Sequence, residues 1–360
     1  MQQAQLQPLS NGGGHGSRVL RPRADARVAF PFKQSYCRPV NDGARPVSSR
    51  PSPDGVGWGM SFTIAHITDP HLSPAPMPGF ADLRLKRVMG FINWKRGRAR
   101  LNDMGMLARL VADLRAQGPD HVAVTGDLVN IGMPIEFHRA ALWMRTLGEP
   151  ANVSFVPGNH DAYVRASMPL LEATFAPWTA GDAPRGETTY PYLRIRGEIA
   201  IIGLSSAVPT GPLMATGRLG KIQLEAFAEL LVETGAKGLA RVVLIHHPPI
   251  ARVTPPLRGL LDAAAFGRIV RDRGAEAILH GHTHQQVVRS LPSRAARTVG
   301  GAVPVIGAPS AAAGALDPRY RAAYHLVRLD RDGELWRVSA RARGLAPESA
   351  AIGERKALRV

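Results

Sequence analysis

The chain has 360 residues, a formal charge of +17, 45% hydrophobic residues and one cysteine. That length accommodates one α/β domain of roughly 250 to 300 residues with extensions, and the lone Cys37 rules out a disulfide framework and a thiolate metal site. No apolar run approaches the ~20 residues that span a bilayer, and Gly12 to Gly14, Pro22 and Pro31 interrupt any secretory signal, so the expected location is the cytoplasm, with a peripheral membrane association left open.

Residues 1–59 are rich in Gly, Pro, Ser and Arg without apolar periodicity, which predicts a disordered basic extension. Met60 directly precedes the first strand-like run, so translation is expected to begin there. Residues 1–60 and 81–101 together supply eleven of the seventeen excess positive charges, which leaves the remaining chain only mildly basic.

From Met60 onward strands and helices alternate. Strands are expected at 63–68, 121–125 and 153–157, with helices at 103–117 and 135–147 between them. Met104, Leu107, Leu110, Val111 and Leu114 share one face of the first helix, and Asn102 is placed to cap it. The second half continues with a hairpin of 190–195 and 199–204 over Arg196 and Gly197, helices at 219–233 and 260–273, and strands at 241–246 and 275–280. Strands at 285–291, 303–306, 324–329 and 335–341 are expected to close the domain antiparallel, the last pair turning over Asp332 and Gly333. The expected architecture is a four-layer α/β/β/α sandwich of two facing mixed sheets flanked by helices, with residues 343–360 as a tail. No internal repeat is visible.

Five polar clusters follow the ends of these strands, where open α/β sheets usually place their sites. They are Asp69-Pro70-His71, Gly126-Asp127-Leu128-Val129-Asn130, Gly158-Asn159-His160-Asp161, His246-His247-Pro248-Pro249 and Gly281-His282-Thr283-His284. Side chains two apart on an extended segment point the same way, so Asp69 with His71, and His282 with His284, can each grip an ion. Gly126 and Gly158 allow tight turns and close backbone approach. Oxygen donors mixed with imidazole suit Mn, Fe, Zn or Ni.

The order DxH, GDxxN, GNHD, HH, GHTH resembles the calcineurin-like metallophosphoesterase superfamily over about residues 60–342. The runs ITDPHL, TGDLVN, VPGNHDAY and LHGHTH look most similar to bacterial class III cyclic-nucleotide phosphodiesterases. The resemblance implies a dinuclear metal-dependent phosphoester hydrolase, with two Mn, Fe or Zn ions and a shared hydroxide attacking phosphorus in line. Carried over residue by residue, it implies a first site of Asp69, His71, Asp127 and His284, and a second of Asp127, Asn159, His246 and His282. His160 would stabilise the transition state or protonate the leaving oxygen, and Asp161 would orient His160.

Cyclic nucleotides are the first expected substrates. Rival readings are a lipid-linked pyrophosphatase similar to UDP-diacylglucosamine pyrophosphatases, a DNA-repair-type nuclease, and a non-catalytic binding module; nucleic acid is not an expected partner. The lipid reading rests on the insert 80–101, where Leu85, Val88, Met89 and Ile92 share a helical face with Phe91 and Trp94 beside it, among Arg84, Lys86, Arg87, Lys95, Arg96 and Arg98. Such a helix is expected to be a lid that packs its apolar face on the domain and holds substrate phosphate with its cations, a solvated helix, or a contact with anionic membrane or nucleic acid. Arg252 or Arg258 is a further candidate phosphate clamp. His66 and His325 read as satisfied structural histidines and His138 and His121 as surface or strand-edge residues, while His247 is ambiguous between core and site.

Overall fold

A computed structural model describes residues 60–79, 85–183, 189–314, 321–345 and 351–360. The extension expected over 1–59 and the first residues of the insert, 80–84, lie outside the described residues.

Alternation of small and branched apolar residues makes each central strand bury both faces. On β1 (Ser61–Ile67), Ala65 and Ile67 face one core while Phe62 and Ile64 face another. On β6 (Ala240–Leu244), Ala240, Val242 and Leu244 share the second core, and Val243 turns to a third. Strands of this kind are stable only when covered on both sides.

The first sheet runs β12-β11-β10-β1-β2-β3. Here β2 (His121–Val124) and β3 (Val153–Phe155) continue parallel to β1, while β10 (Ala323–Asp332), β11 (Leu335–Leu345) and β12 (Ile352–Leu358) add antiparallel. The second sheet runs β4-β5-β6-β7-β9-β8, with β5 (Ile199–Gly203), β6, β7 (Ala277–His280) and β9 (Ala302–Gly307) parallel, and β4 (Tyr192–Arg196) and β8 (Val287–Pro292) antiparallel at the edges. The insert forms α1 (Leu85–Arg96) and α2 (Arg98–Leu101). Helices α3 (Met104–Ala116), α4 (Pro134–Leu147) and α5 (Met168–Thr179) cover the first sheet, and α6 (Lys221–Ala236) and α7 (Ala263–Arg273) the second. The four-layer sandwich of two facing mixed sheets is therefore present. No helix among the described residues is long and apolar enough to cross a membrane.

Several local expectations need correction. β9 pairs parallel with β7, so the closing strands are not uniformly antiparallel. Residues 352–358, expected as a tail, form the edge strand β12 on β11. The two hairpins turn over Gly197-Glu198 and Gly333-Glu334, one residue later than expected, because each glycine occupies the left-handed region at φ 59° and 62°. Asp103 rather than Asn102 caps α3, its carboxylate accepting from Met106 N at 2.9 Å. Helix α5 has no counterpart in the sequence-based expectations, since Pro169 and Pro177 disguise it; the first sits in the opening turn, where proline is tolerated.

An ion pair is sunk beside the second sheet. Arg241 and Glu276 are 2% and 0% exposed, and the Glu276 carboxylate accepts from Arg241 N, Nε and Nη2 at 2.6, 2.9 and 2.7 Å and from Arg297 N at 2.9 Å. Glu276→Ala strands a buried guanidinium, which is expected to cost about 3 to 5 kcal/mol. Urea unfolding monitored by circular dichroism measures it, and a loss below about 1 kcal/mol would show that the network is dispensable.

Candidate metal centre

The five polar clusters converge beyond the ends of β1, β2, β3, β6 and β7, but by a different local geometry from the extended one expected. Asp69, His71, Asp127, His282 and His284 all adopt left-handed φ values, of 50°, 38°, 57°, 71° and 55°. Such a conformation costs an ordinary residue on the order of 1 to 3 kcal/mol and persists only where the surroundings over-determine it. Here they do: Asp69 N, His71 N and Leu72 N donate to Gly126 O, Asp127 O and Leu128 O at 3.0, 3.1 and 2.9 Å, and Ser310 Oγ donates to Asp69 O at 2.7 Å. Gly126 and Gly158 meet where any Cβ would collide with the His246 ring, so glycine is required for this close approach.

Asp69, His71, Asp127 and His284 bring one ligand-competent atom each to within 4.8 Å of one another. Asp127 Oδ2 lies 3.6 Å from His71 Nε2 and 3.5 Å from His246 Nε2, so one carboxylate oxygen stands between two histidines from the loops after β1 and β6. Asp127 Oδ1 accepts from His160 N at 2.8 Å. Asp69 Oδ2 accepts from Thr68 Oγ1 and His282 N at 2.8 and 3.0 Å, leaving Oδ1 facing His284 Nε2 at 3.2 Å. His71 Nδ1 donates to Val129 O at 3.2 Å and His246 Nδ1 to Thr125 O at 2.6 Å, which leaves both Nε2 lone pairs directed into the centre. His71 Nε2 and His284 Nε2 stand 3.2 Å apart.

Asp69 Oδ1, Asn159 Oδ1 and His246 Nε2 are buried without a conventional hydrogen-bond partner among the described residues. Buried acceptors aimed at one another are costly unless a cation lies among them. Burial and the neighbouring Asp69 charge push the Asp127 carboxyl up to about 8. Asp69 goes the other way: burial opposes its ionisation, but His284 beside it holds it well below the usual carboxylate range. Burial and His246 hold His282 down to about 3, in the neutral form that metal ligands require. The donor set of imidazole, carboxylate and amide oxygen fits a pair of metal ions of borderline hardness.

His246 and His282 form the other face of the centre, their ring centroids 5.2 Å apart. His282 Nε2 donates to Arg258 O at 2.8 Å, which leaves its Nδ1 for a ligand. His247 is close enough to belong to this group. Both its nitrogens are committed, however: Nδ1 accepts from Ser206 Oγ at 2.8 Å, and Nε2 donates to Ala215 O at 3.2 Å. It braces the loops of the second sheet and has no free lone pair for an ion.

His160 and Asp161 complete the cluster, and Asp161 departs from the role expected for it. His160 Nδ1 lies 2.6 Å from Asn130 O, which can only accept, so the proton sits on Nδ1 and Nε2 accepts from Arg98 Nη2 at 2.9 Å. The approach of Arg98 Nη1 to Nδ1 at 3.4 Å is then donor against donor. Burial and the Arg98 charge keep His160 neutral. Asp161 does not orient His160; its carboxylate accepts from Asp127 N, Leu128 N, Val129 N and Gly158 N at 2.8, 2.9, 3.2 and 2.8 Å. It clasps the loops that follow β2 and β3 together. Glu136 does the same one turn onward, accepting from Asn130 N, Ile131 N and Met133 N at 2.8, 3.2 and 2.9 Å, a partnership signalled by Glu at the third position of a proline-started helix.

Residues 62–286 match the calcineurin-like phosphoesterase family. The chain belongs to this family. A probable cyclic nucleotide phosphodiesterase of Synechococcus sp. is 27% identical over 287 residues, 79% of this chain and 93% of the relative. A cAMP/cGMP dual specificity phosphodiesterase of Mycobacterium tuberculosis is 32% identical over 236 residues, 62% of each chain. A dimetal phosphatase from Danio rerio shares the fold at a TM-score of 0.53 and 15% identity, covering 81% of this chain and 98% of that one. This calcineurin-like phosphoesterase is accordingly a metal-dependent phosphoester hydrolase, from a family with dinuclear metal sites.

The insert turns toward the phosphoesterase a face other than the apolar one expected. Phe91 packs against Ile131, Met133, Tyr163 and Val164, whereas Ile92 is 41% exposed. Gly90 lies directly over the Tyr163 hydroxyl, where a Cβ would clash, so this crossing depends on glycine. Lys86 Nζ donates to Tyr163 O and Thr210 O at 2.6 and 2.7 Å, and buried Arg87 Nη2 donates to Gly132 O and Ser167 Oγ at 2.8 and 3.3 Å. These cations anchor the helix to the body. Polar anchoring of this sort is invisible to an apolar-periodicity count.

Three other histidines differ from expectation. His121 is buried on β2, its Nε2 2.8 Å from Ser154 Oγ. His66 Nε2 meets Thr125 Oγ1 at 2.8 Å, but His66 Nδ1 and both nitrogens of His325 find no hydrogen-bond partner among the described residues. Burial keeps His66 and His325 neutral, the latter held down to about 3.

Proposed function

We propose that this phosphoesterase is a phosphodiesterase acting in the cytoplasm on a small soluble diester, with cyclic nucleotides as the leading substrate class. The observation that carries the dinuclear part is Asp127 Oδ2, set between His71 on one side and His246 on the other. In this reading Asp69, His71, Asp127 and His284 hold one ion, and Asp127, Asn159, His246 and His282 the other, the ions being Mn, Fe or Zn. When bound, such a pair supplies Lewis acidity and a water nucleophile acidified to neutral pH. The protein's own groups do the remainder. Asp161 keeps the loops of Asp127 and Asn159 in register, and His160, neutral with its proton on Nδ1 and its Nε2 accepting from Arg98 Nη2, serves the transition state by stabilising its charge through that contact, not as the acid at the leaving oxygen.

The names of the two bacterial relatives support the diester and cyclic-nucleotide assignment. A panel of cyclic nucleotides, nucleotide monoesters, phospholipid head groups and UDP-linked lipids, offered to manganese-loaded protein, tests it. Preference for a monoester or a UDP-linked lipid would replace the substrate class while leaving the centre intact. An anionic membrane surface is the weaker reading for the insert, because Lys86, Arg87 and Arg98 point into the protein and leave Lys95 and Arg96 exposed.

The two roles at Asn159 and His160 separate by metal content. Asn159→Ala is expected to lower bound metal from two ions toward one. His160→Ala should retain both ions and lose about 10²- to 10³-fold in kcat. Elemental analysis beside steady-state rates decides this, and wild-type turnover in His160→Ala would remove it from the chemistry.

A further inference from the structure

Helix α2 is one turn long, and it delivers a single side chain to the metal centre. Arg98 Nη2 stands 2.9 Å from His160 Nε2, and the His160 ring is 4.9 Å from that of His71. Arg98 is half-buried, although an arginine on a surface insert ordinarily extends into water. No carboxylate pairs with it at ion-pair distance among the described residues. The charges that favour it most are those of Asp127 and Asp69, the same two carboxylates the metal ions would neutralise.

The placement is enforced from both ends. Before Arg98, Lys86 and Arg87 tie α1 to Tyr163, Thr210 and Gly132. After it, Asn102 Nδ2 donates to His71 O at 3.1 Å, Gly314 N to Leu101 O at 2.6 Å and Asp103 N to Ala312 O at 2.8 Å. A cation preorganised at this cost in chain entropy, and lacking an anionic partner of its own, is arranged for an anion that arrives.

We infer that Arg98 is the phosphate-binding arginine of this centre: it holds the Nε2 of His160 through one N–H and presents its remaining donors to a non-bridging oxygen of the substrate phosphoryl group. A guanidinium has five N–H donors in a planar fork, so it can serve both partners at once. As negative charge builds on the phosphoryl oxygens in the transition state, the guanidinium stabilises it without reorganising. The naming of phosphate as the ligand rests on the phosphoester reading above.

The test uses the full chain loaded with manganese, with bis(p-nitrophenyl) phosphate as substrate and inorganic phosphate as ligand. Arg98→Ala is expected to lower kcat/KM by about 10²-fold, with most of the loss in kcat. It should also weaken phosphate binding in calorimetry by about 10-fold or more and leave bound manganese unchanged. Arg98→Lys, which keeps the charge without the fork, should recover part of both losses, and Lys95→Ala, an exposed cation of the same insert, should match the wild type. Unchanged kcat/KM together with unchanged phosphate affinity in Arg98→Ala would overturn the inference. Loss of manganese in proportion to activity would also overturn it, by making Arg98 a strut for the ligands. If the wild-type protein cleaves no phosphoester, the functional reading fails on its own, and phosphate calorimetry still decides the role of Arg98.

Discussion

Asp127→Asn is expected to eliminate turnover, with kcat/KM falling by about four orders of magnitude, or about 5.5 kcal/mol. The amide keeps the shape of the side chain and can still accept from His160 N. What it removes is the negative charge of the one group that stands 3.6 Å from His71 Nε2 and 3.5 Å from His246 Nε2. An amide oxygen cannot hold two cations together, so elemental analysis should show fewer than two ions per chain. A variant with two ions and near-normal rates would refute the shared role of Asp127.

Folding of the same variant provides an internal control. In the metal-free protein the Asp127 carboxyl is raised to about 8 by burial and by the Asp69 charge. A carboxyl raised in the folded state binds its proton more tightly there than in the unfolded chain. Stability therefore falls as pH rises from the ordinary carboxylate range to about 8, and Asp127→Asn should abolish that part of the pH dependence. Loss of activity would then be separable from loss of fold.

Asp161→Ala is expected to lose about 3 to 5 kcal/mol of stability and about 10²-fold or more in kcat/KM. Four buried backbone N–H groups, from Asp127, Leu128, Val129 and Gly158, lose their acceptor together. Each unsatisfied donor costs about 1 to 3 kcal/mol, less whatever water entering the gap restores. Urea unfolding measures the first effect. A cycle with His160→Ala addresses the second: if Asp161 acts on the loops and not through His160, its effect on kcat persists when the imidazole is gone. Disappearance of that effect in the double variant would restore the orienting role.

How much of this was legible in the sequence differs from element to element. Helix α3 and strands β1, β2 and β6 were readable because their apolar residues repeat at the period of the element they form. Strand β12 was not, because its sequence, IGERKAL, has too few apolar residues to announce itself and gains its place by pairing with β11. The apolar face of α1 misled for a related reason. Its docking is decided by Lys86, Arg87 and Gly90, whose partners Thr210, Gly132 and Tyr163 lie on other elements.

At the centre itself, the sequence alone determined which residues assemble. Asp69, His71, Asp127 and His284, and His246 with His282, could be picked out as neighbours because short motifs follow strands, and parallel strands bring their C-terminal ends to one edge. Only the tertiary structure decided the backbone conformation and the hydrogen-bond partners of each. The left-handed backbone of Asp69, His71, Asp127, His282 and His284 is imposed by hydrogen bonds between loops, and an extended spacing argument cannot anticipate it. The neighbour of His160 proved to be Arg98, 62 positions earlier in the chain, and three of the four amides that Asp161 holds proved to lie more than 30 positions away. The residue types a motif carries are a local property of the chain, whereas the proton each one holds and the partner that holds it are set by whatever the fold brings within about 3 Å.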